Sequence, residues 1–161
     1  MQSFVEKVLE ALTQAGVEFV VVGGVSAVLQ GVPVVTQDLD LCYRRTPDNV
    51  RRLAGALQVF HPRLRGLPEG VPNVVDERTF QMGTNFTLDL EGEDLDLLAE
   101  MSGIGGYDDV APTVLELEVD GRPVRVLPLE RLIATKRAAG RAKDLAVLPL
   151  LEATLKATRH P

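Results

Sequence analysis

Between Phe19 and Tyr43 the chain reads FVVVGGVSAVLQGVPVVTQDLDLCY, and few folds accommodate that order of residues. The apolar run Phe19-Val20-Val21-Val22 has the β-branched character of a buried strand. Gly23 and Gly24 follow at once, so the backbone is free to turn sharply where the strand ends. Val25 to Leu29 suits a short helix, closed by Gly31 and Pro33. From Thr36 to Tyr43 apolar and polar residues alternate, which predicts a second strand. Asp38, Asp40 and Cys42 then share one face, and Leu39, Leu41 and Tyr43 the other.

Carboxylates at i and i+2 on a strand lie roughly 7 Å apart along the backbone and point the same way. Like charges so placed repel, and the pair is costly unless a cation joins it. Asp38 and Asp40 are therefore candidate ligands for one divalent cation or a close pair of cations. The Gly23-Gly24 turn lets a ligand approach the backbone, and the helix behind it offers free N–H groups to a phosphate. A phosphate cradle beside a carboxylate pair is the logic of metal-assisted phosphoryl or nucleotidyl transfer. Ser26 is placed either to bond a phosphate through its hydroxyl or to cap the helix. Cys42, beside the acids, reads as a small buried apolar residue.

Gly23-Gly24, a gap of thirteen residues, then Asp38-Leu39-Asp40-Leu41 resembles the signature of the DNA polymerase β-like nucleotidyltransferase superfamily. The segment Leu132 to Leu145, with Lys136, Arg141, Lys143 and Asp144, resembles a stretch of its small bacterial branch, which includes the abortive-infection type nucleotidyltransferase toxins. The resemblance runs from about Gly16 to Leu151. It implies an α/β (α+β) fold, with a mixed β-sheet flanked by helices in the minimal nucleotidyltransferase arrangement. It also implies a third carboxylate on a neighbouring strand, between apolar residues. Asp96, between Leu95 and Leu97, matches that setting; Asp89, between Leu88 and Leu90, is the second candidate. Lys136 would contact nucleotide phosphates and Asp144 would support the site.

The activity so implied is Mg²⁺-dependent transfer of a nucleotide from an NTP to an acceptor hydroxyl on a tRNA end, a protein or a small molecule. Asp38, Asp40 and Asp96 would hold two Mg²⁺ ions. Asp96 would also help deprotonate the acceptor, while Gly23, Gly24, Ser26 and Lys136 bind phosphates. The toxin branch adds an expected toxin–antitoxin partner. The competing expectation is a catalytically idle member of the same fold that binds a nucleotide or a partner protein.

Composition narrows the setting. At 161 residues the chain is long enough for one domain with a real core. The apolar run around Phe19 is too short and too rich in glycine to span a membrane, and the N-terminus lacks the pattern of a secretory signal. A single cysteine excludes an internal disulfide and fits a reducing cytoplasm. A net charge of −6 argues against tight non-specific binding of nucleic acid. The cations fall in two groups, Arg44, Arg45, Arg51 and Arg52, read as a solvated face, and Arg131, Lys136, Arg137, Arg141 and Lys143.

The remaining elements follow from local signals. Ser3 and Glu6 fit a capping box opening an amphipathic helix that ends before Gly16. Thr46-Pro47 starts a helix to about Leu57. A loop is expected over 58–72 and a short helix over 76–82. Strands are expected over 85–90 and 94–98, linked by Glu91-Gly92-Glu93, and over 113–119 and 122–127, around Asp120-Gly121. Gly103 to Tyr107 reads as a flexible loop. Two helices over about 128–158, divided at Gly140, are expected to pack on the sheet.

Overall fold

A computed structural model describes residues 2–160 of the chain. Helix α1 spans Phe4–Gln14, with Ser3 as its cap and Glu6 returning the bond to the Ser3 N–H. Strand β1 (Phe19–Val22) runs straight into the short helix α2 (Gly23–Leu29). Strand β2 spans Leu39–Tyr43 and helix α3 Pro47–Leu57, capped by Thr46. Strand β3 (Pro62–Leu64) and helix α4 (Glu77–Gln81) precede the hairpin of β4 (Asn85–Leu90) and β5 (Glu93–Leu98). A two-stranded ribbon, β6 (Glu100–Met101) and β7 (Gly105–Gly106), leads into the one-turn helix α5 (Tyr107–Val110). The hairpin of β8 (Leu115–Val119) and β9 (Arg122–Val126) is followed by α6 (Leu129–Ala139) and α7 (Ala142–Arg159).

The main sheet has seven strands in the order β3-β4-β5-β2-β1-β9-β8. The β1–β2 pair is antiparallel, whereas β2–β5 and β1–β9 are parallel, so the sheet is mixed as expected. Alternation sends Leu39, Leu41 and Tyr43 to one face, where they pack with Leu12, Leu53 and Phe80 from the helices. Val20, Val22 and Cys42 point to the other face and meet Leu129, Leu132, Ile133 and Leu151 of α6 and α7. The two C-terminal helices thus lie on the face that carries Asp40.

Register aligns one row of residues across the middle of the sheet. Thr87 on β4 pairs with Asp96 on β5, Asp96 with Asp40 on β2, and Asp40 with Val22 on β1. Two acids therefore sit side by side at the end of β1, where Gly23 begins.

Several boundaries differ from expectation, each for a physical reason. The second strand starts at Leu39 rather than Thr36: β1 ends opposite Asp40, and Leu39 is held by Leu95 of β5 alone. The expected loop over 58–72 contains a 3₁₀ turn (Gln58–Phe60) and β3, which pairs with β4. Asn73 bonds both the N–H and the carbonyl of Leu64, at 2.8 and 3.0 Å, in the manner of a further strand. The β4–β5 link is the two-residue turn Glu91-Gly92, both at positive φ, rather than three residues. The glycines after Met101 form the ribbon and helix instead of a flexible loop, and Tyr107 is buried.

Candidate active site

The central row opens into a cleft of about 760 Å³ between the sheet face and helices α6 and α7. Gly23, Gly24, Asp38, Asp40, Asp96, Lys136, Arg141, Lys143 and Asp144 all line it. The topology thus gathers acids from β2 and β5, the glycine turn from β1 and cations from the C-terminal helices.

Asp40 is the most perturbed acid. Burial, followed by the neighbouring Asp96 and the charge of Asp38, pushes its carboxyl up to about 7, and Lys136 across the cleft opposes the rise. Asp96 is held from the other side, where Thr87 Oγ1 donates to its Oδ1 at 2.7 Å. Gly23 packs against the pair with φ of 63°, and a Cβ there would lie 2.1 Å from Asp40 Oδ2. Glycine is required twice over, by the backbone angle and by the acid beside it. At Gly24 a Cβ would meet Thr36 Oγ1 at 2.6 Å.

Opposite the acids, Asp144 is 0 % exposed and anchors two cations. Lys136 Nζ donates to its Oδ1 at 3.2 Å, and Arg141 Nε donates to its Oδ2 at 2.6 Å. The Arg141 backbone N–H also donates to Oδ2, which ties the first turn of α7 to the same carboxylate. Arg141 first, then Lys136, holds the Asp144 carboxyl down at about 2. Gly140, at φ of 64°, ends α6 and lets the chain double back so that Lys136 and Arg141 converge.

Of the residues expected from sequence, Gly23, Gly24, Asp40, Asp96, Lys136 and Asp144 come together around this cleft. Asp89 does not. It turns to the end of the hairpin, where its carboxylate accepts the Gly92 N–H at 2.7 Å. Ser26 is also elsewhere: it is 0 % exposed, and its hydroxyl donates to the Gly23 carbonyl at 2.8 Å. Ser26 thus serves the start of α2 rather than the cleft. Asp38 reaches the rim but precedes β2 and is exposed. Among the described residues no three or more His, Cys, Asp or Glu side chains are grouped closely enough to hold a metal ion. The expected three-carboxylate cluster is thus a close pair, Asp40 and Asp96, with Asp38 apart.

Arg141 and Thr87 were missed as individual site residues. Arg141 was visible inside the motif that holds Lys136 and Asp144. Thr87 had no local signal, since only the register of β4 against β5 places it beside Asp96. The arginines after Tyr43 serve surface contacts: Arg44 pairs with Glu18 at 2.8 Å, and Arg51 with Asp48 at 3.2 Å.

The donor set can be tested against a metal. Mg²⁺ takes oxygen ligands, keeps several waters and is commonly held by one or two carboxylates together with substrate phosphates. Asp40 and Asp96 supply such a pair, and the repulsion that adds to burial in raising the Asp40 carboxyl is what a divalent cation would relieve. The pair fits Mg²⁺.

No family model matches the chain, and no curated protein matches it. Solved structures do. A candidate nucleotidyltransferase of Thermotoga maritima, TM1012, superposes with a TM-score of 0.59 over 90% of this chain and 88% of its own, at 19% identity. The chain has a nucleotidyltransferase fold. The antibiotic-resistance factor ANT(2'')-Ia, in complex with adenylyl-2''-tobramycin, superposes with a TM-score of 0.62 at 18% identity, covering 96% of this chain and 89% of the other. Its solution structure gives a TM-score of 0.61 at 17% identity, covering 96% and 83%. Among the described residues no helix is long and apolar enough to cross a membrane.

Proposed function

We propose that the chain is a nucleotidyltransferase that moves a nucleoside monophosphate from an NTP to an acceptor hydroxyl. The observation that carries this reading is the in-register pair Asp40–Asp96, set against the Gly23 turn and faced across the cleft by Lys136. Asp40 and Asp96 would hold Mg²⁺, which when bound neutralises the pair and offsets charge on the reacting phosphate. Lys136 and Arg141 meet the triphosphate, in a geometry fixed by the buried Asp144. Gly23 and Gly24 let Asp40 and Thr36 pack against the β1–α2 turn, and the main chain of that turn would meet the phosphates. Asp96 accepts the proton of the acceptor hydroxyl as its oxygen bonds to the α-phosphorus. The bond from that phosphorus to the bridging oxygen breaks, and pyrophosphate departs.

The first acceptor class to try is a small polyhydroxylated molecule. ANT(2'')-Ia was solved with an adenylylated one, and the net charge of −6 disfavours a polyanionic acceptor. A tRNA end or a protein hydroxyl remains an arm of the same test. A toxin–antitoxin partner rests on the sequence resemblance alone. A location in the cytoplasm rests on the lone, buried Cys42.

One observation favours a second reading, nucleotide binding without turnover: Asp38 stands outside the carboxylate pair. Incubation with each α-labelled NTP, Mg²⁺ and panels of aminoglycosides, bulk tRNA and cell protein separates the two. Label transfer that is lost in Asp40→Asn supports transfer. Mg²⁺-dependent NTP binding with no transfer in any panel supports the idle form.

A further inference from the structure

Thr87 touches neither the nucleotide cleft nor either hydrophobic core, yet it makes one short bond to the acid pair. On β4 its neighbours Phe86 and Leu88 turn to the core beneath the sheet, so its own side chain rises on the face that carries Asp40 and Asp96. It is the direct cross-strand partner of Asp96, and its Oγ1 donates to Asp96 Oδ1 at 2.7 Å. The hydroxyl donates and the carboxyl oxygen accepts, so the bond holds Oδ1 of Asp96 on the β4 side of the strand. Apart from the contact between Asp40 and Asp96 themselves, no other side chain among the described residues bonds to either acid.

We propose that Thr87 is a positioning residue of the carboxylate pair. By occupying Asp96 Oδ1 it fixes the rotation of that carboxyl and leaves Oδ2 for Asp40's side and the cation. The inference rests on the metal-dependent reading above. Partners that orient a ligating carboxylate typically change metal affinity or activity by about 10- to 100-fold when removed. Thr87 itself is exposed, so the loss of its hydroxyl should be felt at the pair and hardly in folding.

The test is titration with Mn²⁺ alone, followed by water-proton relaxation, on wild type, Thr87→Val and Thr87→Ser at pH 8. Valine keeps the shape and removes the donor, and serine restores it. The expected result is Mn²⁺ binding weakened about tenfold or more in Thr87→Val, recovered to within about threefold in Thr87→Ser. Melting temperatures should agree across the three. Thr87→Val binding as tightly as wild type would overturn the positioning role and leave the metal site standing. Thr87→Ser binding as weakly as Thr87→Val would also overturn it. Wild type that takes up no Mn²⁺ would overturn both this inference and the metal-dependent reading.

Discussion

Asp40 lies against Asp96 and Gly23, its carboxyl raised from the ordinary 3.8 to about 7. Between those values the folded chain keeps a proton that the unfolded chain has released, so without metal this residue lowers stability as pH rises through the window. Asp40→Asn removes the effect. In chelator at pH 8 the variant should be more stable than wild type by on the order of 1 kcal/mol or more, with the gap closing towards pH 4. Thermal melts at the two pH values check this, and identical melting temperatures at pH 8 would count against the carboxylate pair. Asp144 carries the opposite sign. Its carboxyl sits near 2, below the ordinary 3.8, so its contribution is full above that value and is lost as pH falls towards 2. Asp144→Ala leaves Lys136 and Arg141 without their anchor, and should cost about 2–4 kcal/mol in denaturant unfolding. A cost below about 1 kcal/mol would mean that the buried ion pairs hold little.

At the scale of elements, the junction of β1 and α2 decides whether the site can exist. Gly23→Ala places a methyl on the Asp40 carboxylate and forces an unfavourable backbone angle. It should destabilise the chain by about 1–3 kcal/mol and abolish metal-dependent nucleotide binding, whereas Gly55→Ala, with open space around it inside α3, should leave binding intact. Equal binding by both variants would separate Gly23 from the site. The elements that were legible in the sequence carry their signals locally. Ser3–Glu6 and Thr46-Pro47 cap helices, Asp120-Gly121 turns a hairpin, and the alternation from Leu39 to Tyr43 assigns the faces of β2. What escaped depends on distant partners. β3 exists because β4 and Asn73 complete its hydrogen bonds, and Asp38 falls outside β2 because the pairing with β5 begins only at Leu39. Thr87 and Asp96 meet only through strand register. The choice between Asp96 and Asp89, which share the same apolar setting in sequence, is likewise made by which of them pairs with Asp40.

Across the whole molecule, the sheet divides the labour between its faces. One face is closed by α1, α3 and α4, and the other bears the acid row beneath α6 and α7. The acids come from the middle of the chain and the cations from its C-terminal helices, so the cleft exists only when both halves are folded together. A nucleotide bridging them through Mg²⁺ should therefore stabilise the whole chain, by about 2.7 kcal/mol at a hundredfold excess over Kd. The most direct measurement is calorimetric titration of each NTP, with and without Mg²⁺, into wild type and the double variant Asp40→Asn/Asp96→Asn. The account predicts Mg²⁺-dependent binding of at least one NTP by wild type and none by the double variant. Binding that persists in the double variant, or that ignores Mg²⁺, would contradict the assignment of the Asp40–Asp96 pair as the metal-holding centre of the cleft.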